Sequence, residues 1–449
     1  MSFNRKAHSM NRDTAAGDTA DAVSDDLIVA KAAKRIVPYL IILYIFAFLD
    51  RVNISFASLQ MNADLGFSTT VYGIGASLFF VGYFFFEVPS NLALARFGPR
   101  LWIARIMITW GVISTGMAFV SGDKSFYAMR LLLGIAEAGF FPGIVVYLGS
   151  WFPRAYRASI TGVFMMAIPL SGLIGNPISG LLLDNMTGVA GLGGWQWMFI
   201  IEGIPAVLLG VSCLWLLPAR PRDAAWLTVA EQARLEDLLM RERESLESVR
   251  SYKLSEAFTT PGILLLAGIL FCVVFGITGI AFFLPQIIKS FGYSNTSVGF
   301  LSAVPYLCGA TAMVLWSRRS DRKRERIGHI VIAILTGASG FLLTTLSLDI
   351  HALAMLGLVI AAVGLFAANP VIWTLPTSVM TGTAGAAAVA LINSVANLSG
   401  VVAPPLLGWS RDVTGGFAAA GAIFTGTLLV GAVLVFVFSR SKLASGIPK

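Results

Sequence analysis

Twelve stretches of mostly apolar residues punctuate this chain, at 37–57, 72–94, 101–121, 126–148, 158–182, 195–217, 261–286, 298–317, 327–347, 352–373, 384–409 and 417–438. An α-helix rises about 1.5 Å per residue and the hydrocarbon core of a bilayer is about 30 Å thick, so each stretch is long enough to cross a membrane. No water is available there to satisfy backbone N–H and C=O groups, and segments of this length and continuity meet that demand as helices. Only 12% of residues are charged and 56% are hydrophobic, whereas about a quarter are charged in soluble domains. The expected fold is an all-α membrane protein with twelve transmembrane helices.

The net charge of +8 would suggest a nucleic-acid partner in a soluble protein, but its placement argues otherwise. Twenty-six of the 32 Lys and Arg residues fall in the terminal tails and in loops after even-numbered spans. Loops after odd-numbered spans hold only Lys124, Lys289 and Arg411. Positive residues stay on the cytoplasmic side, so both termini are expected there, with anionic lipid headgroups as their contact and no nucleic acid. Cys213, Cys272 and Cys308 lie within spans and form no paired framework, and His8, His329 and His351 offer no buried relay.

The longest polar stretch between spans separates the sixth from the seventh. The expected organisation is a polar tail at 1–36, a six-helix bundle at 37–217, a cytoplasmic linker at 218–260, a second six-helix bundle at 261–438 and a tail at 439–449. Within the linker, Thr228 and Glu231 have the T-x-x-E spacing of a capping box, followed by Leu235, Leu238 and Leu239 at helical spacing. A surface helix is expected there. Two sets of six spans suit a carrier built around a midplane site.

The halves differ chemically. Spans one to six contain Asp50, Arg51, Glu87, Arg105, Arg130, Glu137 and Glu202, whereas the later six contain no Asp, Glu, Lys or Arg. A charge at a helix centre costs roughly 2.5–3.5 kcal/mol, which marks such residues as functional candidates. The second half offers neutral hydrogen-bonding groups instead: Asn369, Trp373, Asn393 and Asn397, the last two one turn apart on one helix face. This division suits a substrate bearing both charge and hydroxyl groups.

Helical rise places Asp50 roughly 18 Å from the cytoplasmic edge and Glu137 roughly 16 Å from the outer edge, nearly one level. Arg130, seven residues before Glu137, shares its face. With Gly134 between them, Arg130 is expected to reach Glu137. Burial favours a protonated carboxyl and a nearby guanidinium an ionised one, so a change in their separation can load and unload a proton. Asp50 is a second candidate. Arg51 points about 100° away from Asp50 and is free to grip a substrate carboxylate with its planar fork. Tyr83, near midplane, is either a hydrogen-bonding group for substrate or packing among Phe79, Phe80, Phe84, Phe85 and Phe86.

The remaining features have structural readings. Glu87 and Arg105 fall near the cytoplasmic edge, where long side chains snorkel. Glu202 reads as an anchor beside the belt residues Trp195 and Trp197. Asn393 and Asn397 equally suit helix-to-helix hydrogen bonds. Pro370 and Pro404-Pro405 mark breaks suited to gating hinges. No metal-ligand cluster, nucleophile elbow, phosphate loop or cofactor motif is present, so neither an enzyme nor a cofactor is expected.

Several motifs together resemble the major facilitator superfamily, and within it the anion:cation symporter family of bacterial tartrate, galactonate and phthalate carriers. They are Phe48-Leu-Asp-Arg-Val-Asn53, Gly82-Tyr-Phe-Phe-Phe-Glu-Val-Pro-Ser-Asn91, Trp102-Ile-Ala-Arg-Ile-Met-Ile-Thr-Trp110, Arg130-Leu-Leu-Leu-Gly-Ile-Ala-Glu-Ala-Gly-Phe-Phe-Pro-Gly143, Gly194-Trp-Gln-Trp-Met-Phe199 and Ala390-Leu-Ile-Asn-Ser-Val-Ala-Asn397. The resemblance spans about residues 33–439. It implies proton-coupled uptake by alternating access across the bacterial inner membrane, with Asp50 and Glu137 as proton carriers and Arg130 as their modulator. Arg51, Tyr83, Trp373 and Asn393 match positions lining the substrate cavity.

The loop Ala95-Arg-Phe-Gly-Pro-Arg100 departs from the superfamily pattern by placing alanine where an aspartate belongs, and Asp321-Arg322 in the loop between spans eight and nine is the alternative latch.

On this reading the chain is a monomeric symporter moving a small organic anion with protons, a tartrate-like hydroxy dicarboxylate being favoured. A sugar acid or an aromatic carboxylate is the alternative. Other classes are a drug/proton antiporter and a non-transporting receptor.

Overall fold

A computed structural model describes the backbone of residues 4–247, 260–375 and 382–440, and side chains within these except 4–24, 158–159, 243–247 and 382–387. Every regular element among the described residues is a helix. The helices are α1 (Asn4–Val52), α2 (Ile54–Leu65), α3 (Thr69–Phe97), α4 (Pro99–Gly116), α5 (Asp123–Glu137), α6 (Phe140–Trp151), α7 (Arg154–Met165), α8 (Ala167–Asn185) and α9 (Gly194–Leu216). They continue with α10 (Val229–Glu247), α11 (Pro261–Lys289), α12 (Asn295–Lys323), α13 (Ile327–Leu346), α14 (His351–Ile372), α15 (Gly382–Thr414) and α16 (Ala418–Arg440). Twelve segments are long and apolar enough to cross a membrane, as the sequence predicts.

Among the described residues, three spans are interrupted. The first breaks at Asn53 between α1 and α2, the fourth at Ala138–Gly139 between α5 and α6, and the fifth at Met166 between α7 and α8. The fourth is the sharpest: Gly139 adopts φ +84°, a left-handed conformation that glycine enters without a Cβ penalty. A Cβ at that position would lie 2.3 Å from Ser90 Oγ. The predicted break at Pro404-Pro405 is absent, since α15 runs through both prolines. Near Pro370, α14 ends two residues later at Ile372.

Helix α1 extends well before residue 37, and Ile28, Val29, Ala32 and Ile36 are buried. Residues 28, 32 and 36 recur every fourth position, the spacing of one helix face. That extension is tied to the linker helix: Lys31 Nζ meets Glu231 at 2.7 Å and Arg234 Nε meets Asp25 at 2.8 Å. The capping box forms as predicted, with Thr228 N–H donating to Glu231 Oε2 (2.7 Å) and Glu231 N–H to Thr228 Oγ (3.3 Å).

The first six spans pack mainly through α4 on α9 and α3 on α5, the last six through α13 on α14 and α11 on α15. The two sets meet where α8 crosses α12 and α3 crosses α15. Glycines allow these crossings. A Cβ on Gly180 would lie 2.5 Å from the Asn295 carbonyl, and one on Gly408 would lie 2.3 Å from that of Thr69. These contacts concentrate toward the face opposite the linker.

Candidate functional site

Arg51 lies in the last turn of α1 and Glu137 ends α5, and the two form an ion pair. The carboxylate side chain is 1% exposed and the guanidinium side chain 16%. Both sit beside helix interruptions, the kind of discontinuity that opens backbone and charge toward a transport site. The break after Glu137 is held from α3, because Ser90 Oγ donates to the Ala138 carbonyl (2.6 Å) and accepts from Trp102 Nε1 (2.9 Å). Around Arg51 lie the rings of Phe48, Phe79 and Tyr83, 5.9, 5.2 and 5.3 Å from the guanidinium carbon. Tyr83 therefore lines the charged centre, as a packing partner of Arg51.

The expected bond between Arg130 and Glu137 does not form. Arg130 is fully buried, its Nε donates to the Gly75 carbonyl at 3.3 Å, and its guanidinium lies 5.1 Å from the Phe79 ring. Phe79 is thus within cation–π range of both guanidinia, a role the sequence reading left to packing. Gly134 serves helix packing: a Cβ there would sit 1.9 Å from the Phe79 carbonyl. Its absence of side chain brings α5 against α3. It does not clear a path for Arg130.

Asp50 turns away from the Arg51–Glu137 pair. Its Oδ1 accepts from Ser114 Oγ (2.9 Å) and Asn53 Nδ2 (3.1 Å), and no cation among the described residues bonds to it. Two turns deeper than the belt residue Trp195, Glu202 is 3% exposed and accepts from Ser179 Oγ at 2.7 Å. The anchor expected of Glu202 is supplied by Trp195 itself, whose Nε1 donates to Asp64 at 2.8 Å. Ser114 and Ser179 escaped notice in the sequence because single hydroxyls in apolar helices usually bond to their own backbone.

Across the seam, Trp373, Asn393 and Asn397 are half-buried. Among the described residues none of the three bonds to the charged group of the first half. Arg105 lies over Trp102 at 3.9 Å, in keeping with a structural role. The loop between spans eight and nine closes on itself: Asp321 pairs with Arg326 at 2.6 Å. Glu325, despite partial burial, is held below the ordinary range of a glutamate by the Gly328 N–H and His329. No bond from this loop to the first half is present among the described residues, so the alternative latch is absent in this conformation.

At the face opposite the linker the halves are clasped twice. Asp184, in the last turn of α8, accepts from Asn295 Nδ2 (2.8 Å) and Thr296 N–H (2.7 Å) at the start of α12. Asp412, near the end of α15, accepts from the N–H groups of Thr69 (3.1 Å) and Thr70 (2.7 Å) at the start of α3. Beside them lies a cleft of about 360 Å³ lined by Ser58, Asn62, Gln286, Lys289 and Arg411. The two halves are thus joined at one face, with the buried charges behind the joint.

The sequence profile of the Major Facilitator Superfamily matches residues 40–404 and 266–448. The chain belongs to this superfamily of transporters. A protein of Agrobacterium vitis named for tartrate transport is 47% identical over 94% of both chains. A quinolone resistance transporter of Acinetobacter baumannii is 39% identical over 91% of this chain and 94% of that one. The crystal structure of a bacterial homologue of the human lysosomal transporter Spinster, inward-facing and unoccupied, superposes with a TM-score of 0.75 at 17% identity, covering 92% of this chain and 98% of that chain. That likeness concerns the fold. This superfamily member is a multi-pass membrane protein.

Proposed function

We propose that this transporter is a proton-coupled symporter that carries a small organic anion, favoured as a tartrate-like hydroxy dicarboxylate, into the cytoplasm across the bacterial inner membrane. The observation that carries this reading is the Arg51–Glu137 pair at two helix interruptions. An ionised Glu137 occupies the guanidinium. A proton on Glu137 neutralises it and frees Arg51, whose fork then binds a substrate carboxylate bidentately. Loss of that proton on the other side restores the pair and displaces the carboxylate. Substrate and proton therefore travel together, with Asp50 as the second proton carrier and Arg130 holding Phe79 against Arg51. Tyr83 borders this carboxylate site, and Trp373, Asn393 and Asn397 contact the hydroxyl-bearing end from the second half.

On this reading the protein works as a monomer, as two bundles at 37–217 and 261–438. The clasped face is the outer one, and termini and linker are cytoplasmic, in accord with their excess of Lys and Arg. The relative named for tartrate transport supports the substrate class. A second reading, proton-driven export of a drug, draws on the quinolone resistance relative. Uptake into proteoliposomes under an imposed pH gradient, with a panel of hydroxy dicarboxylates, sugar acids, aromatic acids and quinolones, tests both. Accumulation of a dicarboxylate with the proton gradient supports symport. Movement of a quinolone against it supports export.

A further inference from the structure

The cleft at the clasped face is walled by both halves, with Ser58 and Asn62 of α2 on one side and Gln286 and Lys289 of α11 and Arg411 of α15 on the other. Its volume of about 360 Å³ lies in the range of small-molecule sites. Of the three Lys and Arg residues in loops after odd-numbered spans, Lys124, Lys289 and Arg411, two line it. Positive charge gathered in a cleft, on a face otherwise poor in it, suits an anion.

Among the described residues neither cation of the cleft is bonded to a carboxylate. Lys289 Nζ donates to the Tyr293 carbonyl (3.1 Å), and Arg411 Nη1 donates to Gln286 Oε1 (2.8 Å) and Thr69 Oγ1 (3.4 Å). These acceptors are neutral, and they leave donors on the ammonium and the guanidinium for a ligand. The neighbouring carboxylates are committed elsewhere, Asp184 to Asn295 and Thr296 and Asp412 to Thr69 and Thr70. Gln286 Nε2 donates to Ser58 Oγ at 3.0 Å and so joins the two walls. Asn62 Oδ1 is buried and has no partner, so the cleft lacks a hydrogen-bond donor as well as a negative charge.

Behind the cleft the seam is shut. One turn deeper on α11, the Phe282 carbonyl accepts from Tyr72 Oη of α3 (2.7 Å), and the rings of Phe80 and Phe282 lie 5.9 Å apart. Asn62 follows Arg51 by eleven residues, roughly 16 Å by helical rise, too far for one small anion to touch both. We propose that this cleft is a second anion site, distinct from Arg51, that takes a hydroxycarboxylate while the seam is shut. Lys289 and Arg411 bind its carboxylate groups, and a hydroxyl donates to Asn62 Oδ1. The ligand class rests on the organic-anion reading of the transporter, whereas the site itself does not.

Ser290, exposed at the cleft, offers a readout that needs no transport. A Ser290→Cys protein, carrying Cys308→Ser to remove the half-buried native thiol, is purified in detergent and labelled with a bulky neutral maleimide in the presence of L-tartrate, succinate or inorganic phosphate. L-tartrate should slow labelling severalfold at saturation, and succinate, which has no hydroxyl, should protect more weakly. Lys289→Gln and Arg411→Gln each remove a charged donor and should raise the tartrate concentration for half-protection about tenfold. Lys124→Gln, exposed outside the cleft, and Arg51→Lys should leave it unchanged. If Arg411→Gln does not fold, Lys289→Gln decides alone. Labelling indifferent to tartrate overturns the inference and leaves transport through Arg51 standing. Protection lost in Arg51→Lys, or weakened as much by Lys124→Gln as by Lys289→Gln, also overturns it, by placing the anion at Arg51 or in a diffuse surface field. Phosphate protecting as well as tartrate overturns the hydroxycarboxylate as its ligand. Protection in a protein whose proteoliposomes accumulate no organic acid supports the site and removes the proposed function.

Discussion

Asp412 Oδ2 accepts the backbone N–H of Thr70 at 2.7 Å, joining the end of α15 to the first turn of α3 across the seam between the halves. Asp184 repeats this arrangement on Thr296. The two receiving helices begin alike, Gly66-Phe-Ser-Thr-Thr70 and Gly292-Tyr-Ser-Asn-Thr296, so the clasps are related by the internal repeat. A carboxylate at a helix N-terminus satisfies otherwise unpaired N–H groups and the positive end of the dipole.

Each clasp is worth about 1 kcal/mol, or roughly a fivefold change in a population. Asp184→Asn and Asp412→Asn are therefore expected to shift the molecule toward opening at this face, the double variant more than either single one. Spin-label distances between the ends of α8 and α12 should lengthen. Unchanged distance distributions would show that glycine packing alone closes the seam.

Glu137→Gln is expected to abolish gradient-driven accumulation while counterflow of substrate persists, because the amide mimics a protonated carboxyl. Arg51→Lys is a separate test of the same pair. A lysine retains charge but lacks the planar fork, so carboxylate affinity should fall about tenfold or more. Isothermal titration with the best dicarboxylate reads it. Wild-type affinity in Arg51→Lys would leave Arg51 as a partner of Glu137 only.

The seam between the first helix and the linker carries a pH dependence of known sign. Lys31 and the Thr228 N–H hold Glu231 below the ordinary glutamate value of 4.5. A carboxyl with a lowered folded-state pKa stabilises above its unfolded value, and the contribution is lost as pH falls through the folded value. Protease resistance of the linker should therefore hold from neutral pH to about 4.5 and decline below it. In Glu231→Gln it should be weaker at neutral pH and flatter on acidification. Equal sensitivity in both proteins would remove this contact from the seam's stability.

The sequence told much of this fold because membrane helices declare themselves locally. Twelve spans and the Thr228–Glu231 cap follow from hydropathy and spacing alone, and the Asp50, Arg51, Arg130 and Glu137 group stands out by the cost of burying charge. Pairing is different. Arg130 lies on the same helix as Glu137 and was the natural partner, yet the break at Ala138–Gly139 and the ring of Phe79 hand Glu137 to Arg51, 86 residues away. That break depends on Ser90 from another helix, so no local pattern announces it. Glycine is common in membrane helices, and its presence at 139 was silent. The burial of Ile28 and Ala32 was hidden by the charged residues around them.

The placement of Phe79 between the two arginines makes Gly134 the sharpest test of the site's architecture. Because a Cβ at 134 would lie 1.9 Å from a backbone carbonyl of α3, no rotamer change relieves it, and α5 must move away from α3. Overpacking of this kind costs about 1–3 kcal/mol. Gly134→Ala should lower the thermal midpoint and impair transport even though it changes no charge. Gly162 has nothing within 4 Å of its would-be Cβ, and alanine there should be neutral or stabilising by up to about 1 kcal/mol, as for a glycine within a helix. Measuring both variants by thermal unfolding in detergent and by uptake separates the two effects. A Gly134→Ala protein that transports like wild type would mean that the α3–α5 approach does not set the positions of Arg51, Arg130 and Glu137.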